Sequence, residues 1–349
     1  MKMSRTAIKE LTAAYRAVLK HAFIAAMGAM VVIGGASAAD RTLVAEDELY
    51  PAQDGMVLDI QDKEVKDLGD WSETLIFVGN DKGLLTVGAG SVFKNNLVES
   101  GIFYTAKPKA PQTGGMLIIG ANTVFDGNMA KDSAGAIADF GTVIVSSGTQ
   151  FNNNSAYATD ETTGTRLIGG GAIAMGINGK LVVDGAEFNN NTSRFDGGAI
   201  ATRRTLEDSE IPQVDNLGNY IKISNSVFSG NQALGGMIDT ASNRTRGGNG
   251  GAIANTFLTT EINNTRFENN SAAMNGGAIY NHHFIKTDAK GTDSGLGGNM
   301  KFTDASFIGN SAAQKGGAIY NDMGDITLNG KTVFSGNVAK KDGGAIYNN

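Results

Sequence analysis

Ser306-Phe307-Ile308-Gly309-Asn310-Ser311-Ala312-Ala313-Gln314-Lys315-Gly316-Gly317-Ala318-Ile319-Tyr320-Asn321 is a second version of Arg266-Phe267-Glu268-Asn269-Asn270-Ser271-Ala272-Ala273-Met274-Asn275-Gly276-Gly277-Ala278-Ile279-Tyr280-Asn281. Both stretches carry Phe-x-x-Asn and, nine residues after the Phe, Gly-Gly-Ala-Ile. Working outward, the Phe recurs at Phe93, Phe125, Phe151, Phe188, Phe228, Phe267, Phe307 and Phe334. Each has an Asn three places on, at Asn96, Asn128, Asn154, Asn191, Asn231, Asn270, Asn310 and Asn337. The second motif starts at that nine-residue distance at Ala134 (as Ala-Gly-Ala-Ile), Gly197, Gly276, Gly316 and Gly343. Recurring self-similarity of this kind marks a stacked repeat, so function is expected on an extended surface and not in a single pocket.

The spacing sets the size of the unit. The shortest steps are 26 residues, from Phe125 to Phe151, and 27, from Phe307 to Phe334, while longer ones of 37 to 40 contain insertions. Insertions follow the Asn at 97–113, 155–169 and 236–249, and follow the Ile at 201–219 and 280–299. Variation confined to corners is what a coil with strands on its faces predicts. Short alternating runs precede the Phe, among them Leu181-Val182-Val183, Ile221-Lys222-Ile223 and Ile326-Thr327-Leu328. They read as strands by their period of two. The expected fold is all-β: a right-handed parallel β-helix of the pectin-lyase-like kind, over residues 84–349. It has about eight rungs of roughly 27 residues, each of three short strands, with corner insertions.

In such a coil each residue lies about 4.8 Å above its equivalent, so like stacks on like and eight rungs make a rod roughly 40 Å long. The Phe residues are expected to form an internal stack, each ring contributing roughly 1.5–3 kcal/mol by burial. The Asn is placed where the chain turns, and its amide can bond both the turn backbone and the next Asn. Both motifs are structural in the first instance. The last residues complete a Gly-Gly-Ala-Ile-Tyr-Asn strand with no cap after it, which leads to the expectation that the natural chain continues beyond Asn349.

The N-terminal part differs from the repeats. Lys2, Arg5, Lys9, Arg16 and Lys20 precede an uncharged stretch, Ala22 to Ala39, that ends in Ala36-Ser37-Ala38. This is the pattern of a signal peptide over 1–39, cut after Ala38 or Ala39, and the chain is expected to be exported. Residues 40–83 are acidic, hold no Phe-x-x-Asn and contain the single Trp, Trp71. They read as an N-terminal cap on the solenoid.

Composition narrows the function further. With 48 Gly, 4 Pro and no Cys in 349 residues, there is neither a collagen period nor a disulfide framework. The net charge of −6 argues against nucleic acid as a partner, since phosphate binding needs a concentrated cationic face.

Paired Gly-Gly-Ala-Ile and Phe-x-x-Asn repeats behind a signal peptide resemble the polymorphic membrane proteins of chlamydiae. The resemblance covers residues 84–349 and rests on eight motif pairs. It implies an autotransporter: a β-helical passenger displayed at the cell surface or outer membrane, or released from it, and acting as an adhesin. Its partner would be a receptor or glycan of a host or neighbouring cell. It also implies an outer-membrane β-barrel in a longer chain, because no barrel pattern lies within these residues. Unlike common chlamydial members, this chain has no Cys.

Two further readings come from other classes: a secreted polysaccharide lyase or hydrolase on a β-helix, and a structural surface protein with no specific ligand. Catalysis on acidic glycans needs clustered carboxylates with a cationic base. Asp184, Asp239, Asp304 and Asp325 share no repeat position, so no enzyme, catalytic residue or cofactor is expected. His282-His283 lacks Cys or further His nearby, and Gly247-Gly248-Asn249-Gly250-Gly251 lacks the Asp of a Ca²⁺-binding nonapeptide, so no metal site is expected either. The candidate binding surface is the corner shared by 201–219 and 280–299, which carry Arg203, Arg204, His282, His283, Phe284 and Lys286, with Tyr220 beside them.

Overall fold

The computed structural model describes residues 49–52, 57–60, 64–66, 76–78, 84–98, 100–105, 115–131, 133–139, 141–157, 169–176, 179–202, 220–235, 237–239, 244–256, 258–282, 284–287, 293–296 and 298–349. The proposed signal peptide and its cleavage residues Ala38 and Ala39 lie outside them. Four long parallel sheets run the length of the described chain, of ten, nine, nine and eight strands. Successive strands in a sheet come from successive coils, and the result is a right-handed parallel β-helix.

One coil shows the whole pattern. Met300–Thr303 lies in the sheet of alternating runs, Ser306–Ile308 in the Phe sheet, Ser311–Ala312 in a third, and Ile319–Asp322 in the Gly-Gly-Ala-Ile sheet. The coil therefore has four strands where the sequence suggested three. The additional one is only two residues long, too short to display a period, and its signal is the Ala two places after the Asn. Ala312 is buried there while Ser311 is exposed.

Register is strict along the Phe sheet. Phe93, Phe125, Phe151, Phe188, Phe228, Phe267, Phe307 and Phe334 are successive partners. Their rings stack at 4.5–5.0 Å. Phe103 and Phe302 close against this column edge-on, at 5.1 Å from Phe93 and 5.5 Å from Phe307. Offset or edge-on ring pairs add about 0.5–1.5 kcal/mol each beyond the area they bury.

Beside the rings runs a buried ladder of amides. Asn231 donates from Nδ2 to Asn270 Oδ1 (2.9 Å) and to the Phe188 carbonyl (2.8 Å). Its Oδ1 accepts from both Nδ2 and the backbone N–H of Asn191, at 2.9 and 3.0 Å. Every polar valence of the side chain is filled, which is what allows an amide to sit at zero exposure. The same bonds recur from Asn96 to Asn337.

The turn between Phe and Asn needs a positive φ two places after the Phe. That position is Asn95, Asn153, Asn190 and Asn269 in four coils and Gly127, Gly230, Gly309 and Gly336 in the others, all between 54° and 67°. Asn and Gly are the residues that enter this region at least cost.

Residues 57–78 contribute Val57–Ile60, Glu64–Lys66 and Ile76–Val78, which pair in parallel with the first repeat coil. Val65 holds the register position of Phe93. The acidic stretch thus supplies strands to the same sheets as the repeats. One corner differs from the sequence reading. Ser100-Gly101-Ile102-Phe103 replaces the Gly-Gly-Ala-Ile of the first repeat coil, and Phe103 pairs with Ile137. The insertion expected at 97–113 therefore follows the fourth strand, Phe103–Thr105, and shares its corner with 201–219 and 280–299. A substituted motif hid the strand.

Candidate binding corner

The corner lies between the Gly-Gly-Ala-Ile sheet and the alternating sheet. Ile200–Thr202, Ile253–Asn255, Ile279–His282 and Ile319–Asp322 arrive there as neighbouring strands. Tyr220–Ser224, Thr259–Asn263, Met300–Thr303 and Ile326–Asn329 leave it. Gly-Gly fixes the approach. Gly276, Gly316 and Gly343 have φ of 64–68°, and a Cβ on Gly277 would collide with the carbonyl oxygen of Gly317 on the next coil.

Connections of very different length cross this corner, and at Asn255, Asn281 and Asn321 the base is built the same way. In a short connection, Asn255 Nδ2 donates to the Leu258 carbonyl (2.8 Å) and Asn255 Oδ1 accepts the Leu258 N–H (3.1 Å). In the long one, Asn281 Nδ2 donates to the Gly298 carbonyl, 17 residues on. In the next coil Asn321 does the same to Gly324, three residues on. These side chains also bond one another, Asn255 to Asn281 at 2.9 Å and Asn281 to Asn321 at 2.7 Å, and Asn321 reaches Asn348. In each of these three coils one amide ties the two ends of the connection together. The loops stand out in the sequence, whereas this second ladder does not. Its signal is the Asn that recurs two places after the Ile of the motif.

Between Asn281 and Gly298 the chain forms a β-hairpin, Phe284–Thr287 paired antiparallel with Asp293–Leu296. Phe284 and Lys286 are on its first strand. Arg203, Arg204 and His283 lie outside the described residues. His282, the last residue of its strand, pairs in register with Asp322, with Nδ1 and Oδ2 at 2.8 Å. The Asn349 amide donates to the other oxygen of Asp322 at 2.9 Å.

The outer face beside this corner carries Tyr280, Tyr320 and Tyr347, stacked at 5.4 and 5.2 Å and partly exposed. Lys315 lies over the Tyr347 ring at 4.1 Å and donates to its hydroxyl at 2.9 Å. That bond is the main reason the Lys315 ammonium is held above its ordinary range, with Asp342 at 3.6 Å adding to it. Burial, and then the Asp322 carboxylate, raise the Tyr320 phenol. At the equivalent position of the middle coils stand Ala138, Ala174, Ala201 and Ala254, all buried.

The second insertion corner, between the third sheet and the Gly-Gly-Ala-Ile sheet, holds another hairpin, Met237–Asp239 against Arg244–Arg246. After it, the Gly248 amide donates to the Phe195 carbonyl of the preceding coil at 2.7 Å. Asp196 accepts from both the backbone N–H and the side-chain amide of Asn249, at 2.9 and 3.0 Å.

Among the described residues no group of three or more His, Asp or Glu side chains comes together, and no helix is long and apolar enough to cross a membrane. Asp184 sits at the register position of Ser224, Asp304 at a turn with φ of 53° and Asp325 ahead of the strand Ile326–Asn329.

The fold and this corner define a class: a β-helical repeat protein whose unchanging coil carries inserts of different length. The repeats at 225–256, 264–282, 304–322 and 331–349 match the Chlamydia polymorphic membrane protein repeat. No curated protein and no solved structure matches the chain.

Proposed function

We propose that this chain is the passenger of a surface autotransporter and works as a non-catalytic binding rod, an adhesin. Its insertion corner would hold a receptor or glycan of a host or neighbouring cell. The observation that carries this reading is the second Asn ladder. It closes the corner between residues three apart or seventeen apart with the same Nδ2-to-carbonyl bond, so loops can vary while the rod stays as it is. The polymorphic membrane protein repeat supports the surface location. The dispersed positions of Asp184, Asp304 and Asp325 favour binding over hydrolysis of acidic glycans.

The test is a chain in which 283–297 and 203–219 are each replaced by a short turn with the sequence of Thr256-Phe257. Cell binding should be lost while the circular-dichroism spectrum of a β-helix is kept. Unchanged binding by the folded variant would remove the corner from consideration. Uronate release from acidic glycans by the intact chain would replace the adhesin with a lyase.

A further inference from the structure

We propose that Asp139 is a proton-controlled joint in the rod: neutral, it lets the coils on either side close over it, and ionised, it loosens the corner from which the inserts leave. Asp139 ends the strand Ile137–Asp139 and is fully buried. It occupies the register column that leads, in later coils, to Asn255, Asn281 and Asn321. There Asn281 and Asn321 each bond the amides above and below. Here the neighbours are Thr105 on one side and Met175 on the other.

The two oxygens are treated unequally. Oδ1 accepts the Thr105 hydroxyl at 2.7 Å and the Gly141 N–H at 2.8 Å. Oδ2 is buried with no hydrogen-bond partner. Met175, above it in the column, offers only an apolar thioether chain at zero exposure. A carboxylate oxygen in such a place is costly, and a carboxyl proton removes most of the cost.

Burial accordingly raises the Asp139 carboxyl from 3.8 to about 7, against the smaller opposing effects of the Thr105 hydroxyl and the Gly141 amide. No charged side chain among the described residues acts on it. Tyr104, next to Thr105, is itself held protonated by burial.

The direction of the effect follows from proton linkage. Between about pH 4 and pH 7 the folded coil holds a proton that the opened coil releases, so stability falls as pH rises through that window and then levels off. The loosening would be local. The Gly176 amide donates to the Asp139 carbonyl at 2.7 Å, so the strand end and the start of the next connection are tied to the same residue.

Amide exchange at Gly141 and Gly176, corrected for the intrinsic effect of pH, reports this opening in the full chain. Protection should fall about tenfold per pH unit between pH 5 and pH 7. In Asp139→Asn, which keeps the shape and the Oδ1 acceptor but cannot titrate, the fall should vanish, and Asn270 in a distant coil should show no fall in either protein. An equal fall in Asp139→Asn, or none in the parent chain, would overturn the proposal. Should that variant fail to fold, Met175→Asn gives Oδ2 a donor and must move the levelling-off to lower pH. Thr105→Val removes a donor and must move it higher. No shift in either of these two would also reject it.

Discussion

Coils built from residues 84–224 and coils built from 225–349 enclose the same Phe and Asn columns, yet they differ at the corner. Asn96 through Asn337 continue without interruption across both regions. The second amide ladder is confined to Asn255, Asn281, Asn321 and Asn348, and the same column in the earlier coils reads Thr105, Asp139, Met175 and Thr202. The difference teaches which polar position the fold requires. The Asn after the Phe must satisfy a neighbouring backbone amide, a side-chain amide and a carbonyl at once, deep inside the coil. At the corner a hydroxyl, a thioether or a carboxyl can take the place, because the ends of the connection can find other partners there. Thr202 Oγ1 accepting the Thr256 N–H at 2.7 Å is one such solution. The four matches to the polymorphic membrane protein repeat all fall in the later region, where both ladders are spelled out.

The contrast can be broken most forcefully in the ring column. Phe228→Ala removes a buried ring stacked on both sides and is expected to cost about 3–5 kcal/mol in urea unfolding. A loss under about 1 kcal/mol would mean that neighbouring coils collapse into the space and that the column is not a unit.

The inner ladder comes next. Asn231→Ala takes the shared acceptor from two donors of Asn191 and a donor from the Phe188 carbonyl, at about 1–3 kcal/mol for each group left unsatisfied. The corresponding change at the corner, Asn281→Ala, should cost less, about 1 kcal/mol. It should also raise amide exchange around Gly298 while sparing the Phe column. Equal costs at the two sites would erase the distinction drawn between them.

Replacing residues 283–297 by a two-residue turn sharpens the comparison from the other side. The corner amide already spans short connections at Asn255 and Asn321, so stability should change by under about 1 kcal/mol, the scale of loop-closure entropy. A drop of several kcal/mol would show that the hairpin packs on the rod as part of its fold. The smallest effect is expected at the surface. Lys315→Met removes the contact with Tyr347 and Asp342, and an exposed pair of this kind contributes little, less still with added salt, so the urea midpoint should barely move.

Much of this architecture is legible without coordinates. Phe and Asn at fixed spacing imply columns, since a parallel coil places equivalent residues one above another. Insertions grouped at two points imply corners. What escaped the sequence did so for identifiable reasons. Ser311–Ala312 is a two-residue strand, below the length at which alternation can be seen. The strand at Phe103–Thr105 uses Ile102-Phe103 where its successors use Ala-Ile, so the first insertion was assigned to the wrong corner. The positive-φ position after the Phe alternates between Asn and Gly, two residues unlike in chemistry and alike only in backbone freedom.

The candidate surface was less legible than the fold. Sequence could place Arg203, Arg204, His283, Phe284 and Lys286 on inserts, because insertion itself marks a loop, whereas His282, read as part of the same insert, ends the strand Ile279–His282. It could not assign His282 to Asp322, or show that Asn281 closes the base of a hairpin, because both bonds join residues brought together by coiling. The same holds for Asp139. Its isolation depends on Thr105 and Met175, each a full coil away along the chain and visible as neighbours only as one step along the rod.

The sequence by itself determined the repeat, its period and the columns of Phe and Asn, since identical residues at a coil-length interval can bury and bond themselves only by stacking. Tertiary structure decided which amide meets which carbonyl, where a fourth strand fits, and which carboxyl is left with an unpaired oxygen. Those outcomes depend on contacts between coils, and the chain acquires them only when it closes on itself.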